Sequence, residues 1–431
     1  MKRNYHKSIL IFIIGVLYNN PSFSANDSLL VLQNTNVIDV VSNRTISNVD
    51  VVIEGKLIKN ITPFHPKNTY LNARTINAKD CYCIPGLIDS HVHISEPTEP
   101  LSFLLKNGIT SVRDMVNDAE YLRNIITEID SGNIIGPDIY YSAMMGGKDF
   151  IESSGKVKAL TPSSFEPGDA PWARKIDDQS DIAEVVKQAK DCGAYALKLY
   201  KDLTYDQVKK LTEEGHKQGL LVWAHGKVYP ATCDQIIDAG VDCISHYAYF
   251  LSSDNFSEKP NAERTFFDDD IVSFRNLERR LLKMKSQRIF LDPTIFAIDD
   301  LIMQQIKKGA DAYMSLGYYA IKRAHELGIP IVAGTDLGNN PNDTINLFQE
   351  LKSLVYKVGL TPFEALQCAT INGARVLHMG KSLGSIEVNK MADLVVLSND
   401  PTIDIKNILS IKYVIKSGKI LFNINHLIQE K

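Results

Sequence analysis

Apolar positions recur along this chain in three rhythms. Between residues 29 and 83 they come as short runs, Leu29-Leu-Val-Leu32, Val37-Ile-Asp-Val40, Val49-Asp-Val-Val-Ile53 and Leu57-Ile-Lys-Asn-Ile61, with Gly, Asn and Ser between several of them. Runs of that length bounded by turn residues predict strands. The C-terminal end has the same texture: Ala392-Asp-Leu-Val-Val-Leu397 reads as a buried strand, and residues 411–420 read as a hairpin closed around Ser417-Gly418. Neither end covers its own apolar faces, so the two are expected to build one small β-sandwich domain from residues 25–83 and 384–431.

The second rhythm fills residues 84–383. Apolar runs recur at residues 87–93, 110–114, 139–142, 194–199, 220–225, 241–246, 288–292 and 330–336. Amphipathic stretches lie between them, among them 181–193, 204–219, 310–328 and 361–377, and several end in the glycine that a C-cap favours. Eight strands alternating with helices predict an α/β fold, a closed parallel (β/α)8 TIM-type barrel. Residues 144–180, with Gly146-Gly147, Pro162, Pro167-Gly168 and Pro171, fit neither rhythm and are expected to be an irregular lid or substrate loop.

The third rhythm is confined to residues 1–24. Lys2, Arg3 and Lys7 precede the apolar run Ile9–Leu17, and Ser22-Phe-Ser24 supplies small residues for cleavage. The run is too short to span a bilayer as a helix, so it reads as a signal peptide, with export to the periplasm or medium and no membrane association after cleavage. Apolar content of 44%, charged content of 23% and a net charge of −4 suit a globular chain and give no basic stretch for nucleic acid. A homo-oligomer is compatible with all of this. The six cysteines include Cys81-Tyr-Cys83, whose spacing does not match Cys-x-x-Cys metal or redox sites; they are read as structural.

Candidate chemistry collects at strand ends, where barrels of this kind keep their active sites. His91-Val-His93 places two imidazoles on one face of a strand, because residues i and i+2 share a face. Alone, the pair is as compatible with ordinary strand histidines. His225, His246 and Asp336, however, also close apolar runs, and Lys198 sits within Ala196-Leu-Lys-Leu199. Imidazole and carboxylate together suit zinc or a similar divalent ion. His91, His93 and Asp336 come from strands one and eight, which are neighbours in a closed barrel, and would hold one ion. His225 and His246, from strands five and six, would hold a second.

Lys198 lies between the two halves in strand order. Among Leu and Ala a lysine is desolvated, its pKa falls, and the neutral amine can add carbon dioxide as a carbamate able to span two metals. The competing readings are a simple ion pair with Asp114 or Asp336 and, as an alternative lysine, Lys201, which has the wrong parity. Two divalent ions sharing a hydroxide would attack a carbonyl, with Asp336 as general base and then general acid. Asp336 is equally compatible with a turn role in Gly334-Thr-Asp336, and Asp89 and Asp114 are read as structural.

Together with these runs, Pro85-Gly-Leu-Ile-Asp-Ser-His-Val-His93, Ala196-Leu-Lys-Leu-Tyr200, Val222-Trp-Ala-His225, Gly240–His246, Ala333-Gly-Thr-Asp336 and Ala392–Leu397 resemble the amidohydrolase superfamily, most closely its imidazolonepropionase-like and Xaa-Pro dipeptidase-like branch. The resemblance implies a carbamylated Lys198, two zinc ions and the ligands His91, His93, Lys198, His225, His246 and Asp336. The branch often carries Gly-Gly-His after strand three, where this chain has Gly146-Gly147-Lys148. Lys148 is therefore a candidate for a substrate carboxylate, with Arg174 and Lys175 as alternatives, and Tyr229 and Tyr247 for the pocket wall, beside Tyr200 and Tyr249. The expected activity is hydrolysis of a C–N bond in a small molecule such as a dipeptide or N-acyl amino acid. Two alternatives remain open: a mononuclear deaminase or cyclic-amide hydrolase of the same fold, and a silent binding protein on this scaffold.

Overall fold

The computed structural model describes residues 29–94, 99–253, 271–306, 309–336 and 346–423; the leader read at residues 1–24 lies outside them. The chain opens with β1 (Leu29–Asp39), β2 (Arg44–Glu54), β3 (Leu57–Pro63), β4 (Arg74–Asn77) and β5 (Tyr82–Pro85). It then runs through β6 (Leu87–Val92), β7 (Ile109–Asp114), β8 (Asp138–Gly147), β9 (Asp169–Ala170), β10 (Ala173–Ile176), β11 (Ala196–Leu199), β12 (Leu221–His225), β13 (Cys243–Ser245) and β14 (Phe290–Asp292). It closes with β15 (Leu394–Leu397), β16 (Ile411–Lys416) and β17 (Lys419–Asn423).

The two ends do share one domain. Its strands follow a single hydrogen-bonded path, β17-β16-β15-β5-β1-β2-β3, with β4 also on β1. Strand β5 stitches the halves together, parallel to β1 on one edge and antiparallel to β15 on the other. Leu32, Val37, Val51, Ile53, Cys83, Leu394, Val396 and Ile415 form its common core. The β16–β17 hairpin turns at Ser417 (φ 49°) and Gly418 (φ 75°), the paired left-handed conformations that match the twist of the flanking strands. Lys416, buried, reaches from this domain to Asp138 at the start of β8 (2.6 Å) and to Asp393 (3.3 Å).

Strands β6, β7, β8, β11, β12, β13 and β14 lie side by side in parallel. Residues 330–336 take the eighth place. They form a single bridge, Leu291 with Ile331, rather than a full strand. They still close the barrel: Val332 N donates to Leu291 O (3.0 Å), Ser90 N to Ala333 O (2.8 Å) and Asp336 N to His91 O (2.8 Å). A plug of Ile88, Ala196, Leu221, Trp223, Cys243 and Val332 fills the lower interior, covered below by Ala374, Leu377 and Leu383.

Local signals place the helices. Thr204 and Gln207 form a capping box ahead of Tyr205–Gln218, and Gly219 (φ 85°) ends it. The helix expected over 361–377 is two, Pro362–Cys368 and Ile371–Val376. The break has a cause: the carbonyls of Cys368 and Ala369 leave the helix to accept from Ala333 N (3.1 Å) and Ile88 N (2.7 Å) of the barrel. Residues 144–180 are likewise more ordered than expected. β8 continues to Gly147 because β10 pairs with it over Met144–Gly147, and the helices Lys148–Ser153 and Gly155–Ala159 follow. All six cysteines are buried, and none is in a disulfide. Among the described residues no helix is long and apolar enough to cross a membrane.

Candidate metal centre

Barrel closure carries the first half of the site. Because residues 330–336 lie against β6, Asp336 comes beside His91 and His93. His91 Nε2 and His93 Nε2 lie 3.4 and 3.2 Å from Asp336 Oδ1. Ligands about 2.1 Å from a tetrahedral ion are separated by about 3.4 Å, so this donor set has the spacing a zinc-like ion needs. The three groups each offer an atom within 4.8 Å of the others. Gly334 permits the approach, since a Cβ there would sit 2.6 Å from His91 Cβ and against Asp292 Oδ1.

The second half follows from strand register. His225 is opposite Ser245 and Ser245 opposite Asp292, so β12, β13 and β14 present one row to the mouth. His246 follows β13 with φ 68° and Asp336 has φ 53°, left-handed backbone that turns these residues out of the strand direction at some conformational cost. The rings of His225 and His246 are 5.0 Å apart, and those of His91 and His246 4.9 Å. His246 Nδ1 is 2.8 Å from Thr294 Oγ1 and 3.8 Å from Asp336 Oδ2. His225 Nδ1 is buried and has no hydrogen-bond partner. A bare imidazole nitrogen in a dry site is what a cation would satisfy.

Lys198 is fully buried on the same wall, and its Nζ donates to Ser245 Oγ (2.8 Å). Burial pushes its amine down to about 8. Lys201, by contrast, lies past the end of β11 and is half-buried. Burial also holds His91 and His225 well below the usual imidazole range and lowers His246 to about 4, with the Lys198 charge acting in the same direction on all three. Burial alone would raise Asp336, but His91, His246 and His93 win and hold it well below the ordinary carboxylate range. His91, His225 and His246 are thus held as neutral imidazoles and Asp336 as an ionised carboxylate, the protonation states that bind divalent metal.

The remaining sequence candidates separate. Tyr249 stacks on His225 (5.2 Å, 9°) and Tyr200 meets it edge-on at 4.7 Å, its own hydroxyl buried without a partner. Tyr247 is buried with its hydroxyl donating to Asp299 Oδ1 (2.6 Å) on the helix Ile295–Gln305. Tyr229 is buried, with the Lys227 ammonium 5.1 Å from its ring centre. Lys148 is exposed at the start of its helix, whose Phe150 stacks on Tyr200 at 5.9 Å. Arg174 is occupied at one end by Asp169 O (3.0 Å), and Lys175 pairs with Glu152 (3.5 Å). Asp89 ties β6 to the closing segment through Thr335 Oγ1 (2.8 Å), and Asp114 accepts from the backbone of Ile94 (2.7 Å) and Val116 (3.0 Å), both structural.

Sequence reasoning placed Asp292 at a strand end and gave it no role. Its Oδ2 lies 2.7 Å from His91 Nδ1, 3.1 Å from Arg113 Nη2 and 3.0 Å from Ser245 Oγ. The available signal was that Asp292 closes the seventh apolar run as His225 closes the fifth.

A family model, that of the amidohydrolase family, matches residues 82–421. The 5-methylthioadenosine/S-adenosylhomocysteine deaminase of Caldanaerobacter subterraneus subsp. tengcongensis is 22% identical over 421 residues, covering 88% of this chain and 87% of that one. The imidazolonepropionase of Shouchella clausii is 28% identical over 208 residues, 44% of this chain and 43% of that one. Among solved structures, a Xaa-Pro dipeptidase with methionine bound in its active site superposes with a TM-score of 0.73 at 20% identity, over 92% of this chain and 100% of that one. At that identity the likeness speaks for the fold.

Proposed function

This chain belongs to the amidohydrolase family, and from that premise we propose that it is an exported binuclear metal-dependent hydrolase of amide or peptide-like C–N bonds in a small substrate, such as a dipeptide or N-acyl amino acid. The observation that carries the binuclear reading is Lys198: a fully buried lysine on the inner wall, with its amine lowered to about 8, between one histidine–carboxylate set and a second histidine pair. His91, His93 and Asp336 would hold one ion, His225 and His246 the other, and a carbamate on Lys198 would join them. Bound there, such ions, zinc being the expected one, would acidify water and polarise the scissile carbonyl.

The chain's own residues divide the remaining tasks. Asp336, held ionised by its histidines, accepts a proton at its carboxylate from the attacking water and returns it to the leaving nitrogen. Tyr249 and Tyr200 wall the His225 side and exclude water. Lys148 on the rim is suited to a substrate carboxylate.

A second reading, deamination, draws support from the names of the curated relatives, since removal of an amino group also breaks a C–N bond. Zinc-loaded protein screened against dipeptides, N-acyl amino acids, lactones and 5′-deoxyadenosine decides. Amino-acid release with two ions per chain supports the proposal; ammonia release from the nucleoside with one ion favours deamination; no turnover with metal bound favours a silent binding protein. Export rests on the leader-like residues 1–24, and N-terminal sequencing of the mature periplasmic chain tests it by whether it starts near Ala25.

A further inference from the structure

We propose that Arg113 and Asp292 form a clamp that fixes the tautomer and ring orientation of His91, and that Ser245 extends it to Lys198, making the three positioning residues for both halves of the centre. The inference rests on the reading that His91 and Lys198 serve as ligands. Arg113 is fully buried inside the barrel, with its guanidinium 4.5 Å from the ring centre of Trp223. It grips His91 from two sides. Its Nε donates to the carbonyl of Ser90, the residue just before His91 (2.5 Å), and its Nη2 donates to Asp292 Oδ2 (3.1 Å), which receives His91 Nδ1 (2.7 Å).

A carboxylate only accepts, so Nδ1 carries the ring proton and Nε2 is left bare toward Asp336 and any ion. The same Oδ2 accepts from Ser245 Oγ (3.0 Å), which accepts in turn from Lys198 Nζ (2.8 Å). One oxygen therefore sets the imidazole of β6 and, through a hydroxyl, the amine of β11 across the barrel. A Cβ at residue 334 would lie against the other oxygen, Asp292 Oδ1, so a glycine there leaves the carboxylate its place. The neighbouring plug residues Ala196, Trp223 and Val332 are apolar. A buried guanidinium–carboxylate pair beside them is seldom the most stabilising filling for such a space, and its geometry, aimed at one ring and the backbone before it, points to positioning. A lysine at 113 lacks the fork needed to hold both points.

Full-length protein labelled with 15N at histidine, studied first without metal, tests this. The His91 ring signals, assigned by their loss in His91→Gln, should show a single Nδ1-protonated tautomer. Asp292→Ala and Arg113→Met should give mixed tautomers. They should also weaken Zn2+ at the position using His91 by about 10–100-fold, and at the His225–His246 position, reached only through Ser245 and Lys198, by less. Asp292→Asn, whose amide oxygen still accepts the three donors, should keep the tautomer, and Arg113→Lys should not. An unaltered His91 tautomer in Asp292→Ala, or zinc affinities that fall equally at both positions, overturns the clamp. The underlying reading fails differently: a wild-type His91 locked as Nδ1–H in a protein that takes up no zinc sinks the metalloenzyme reading and leaves the clamp standing.

Discussion

Replacing Lys198 tests the binuclear proposal at its centre. An ordinary lysine titrates at 10.5, so at pH 7 about one amine in three thousand is neutral; burial lowers this one to about 8, so about one in ten is neutral. The pool able to add carbon dioxide is therefore about 300-fold larger than on the surface. Metal-free protein loaded with zinc should bind a second ion only when bicarbonate is supplied, and 13C-bicarbonate should give a carbamate resonance. Lys198→Ala should lose the resonance, the second ion and on the order of 10²–10³ of kcat, and short carboxylic acids should partly restore all but the resonance by occupying the vacated space beside Ser245. One ion per chain, indifferent to bicarbonate, together with full activity in Lys198→Ala, would refute the reasoning.

Asp336→Asn removes the proton carrier while keeping an oxygen near His91 and His93, so steady-state kinetics should show kcat down by about 10²–10⁴ with KM little changed. Metal-free protein should lose stability as pH falls from 6.5 toward 4. The unfolded chain takes the proton that buried His246 refuses until about pH 4, which amounts to about 3 kcal/mol, and Tm followed across that range checks it. Gly334→Ala pushes a methyl against His91 Cβ and Asp292; it should cost about 1–3 kcal/mol in urea unfolding and weaken zinc binding, seen by competitive chelation.

How much of this was legible in the chain depends on how local each signal is. His91 and His93 are two residues apart on a strand, and period 2 alone puts them on one face. His225 and His246 end apolar runs, so the barrel reading sufficed for them. The Arg113–Asp292–Ser245 links were not legible, because β7, β13 and β14 meet around His91 only once the barrel closes. The ordered part of residues 144–180 was hidden for a related reason: β10 is four residues long and exists through its pairing with β8, not through a pattern of its own. Which tyrosine faces the site past a strand end was not legible either. After His246 the backbone turns left-handed into the short helix Tyr247–Leu251, so it is Tyr249 that stacks on His225 while Tyr247 turns to Asp299.

The barrel divides along its axis in a way that explains why the site is both costly and stable. Below, the plug around Trp223 and Val332 is built from hydrophobic side chains. Above it, Arg113, Asp292, Lys198 and the histidines bring charge and hydrogen-bonding groups into the interior, and His225 Nδ1, Tyr200's hydroxyl and Asp292 Oδ1 are buried there without partners. Left-handed backbone at His246, Thr294 and Asp336 gathers at the same end. Orphaned polar atoms and strained residues each oppose folding by about 1–3 kcal/mol, and they persist only where the surrounding structure holds them. Here that structure is the closed ring of strands and its plug. The groups left unsatisfied, a bare imidazole nitrogen, a carboxylate oxygen and a phenol, are those that a cation and a polar substrate would complete, so the free energy withheld in folding becomes available on binding.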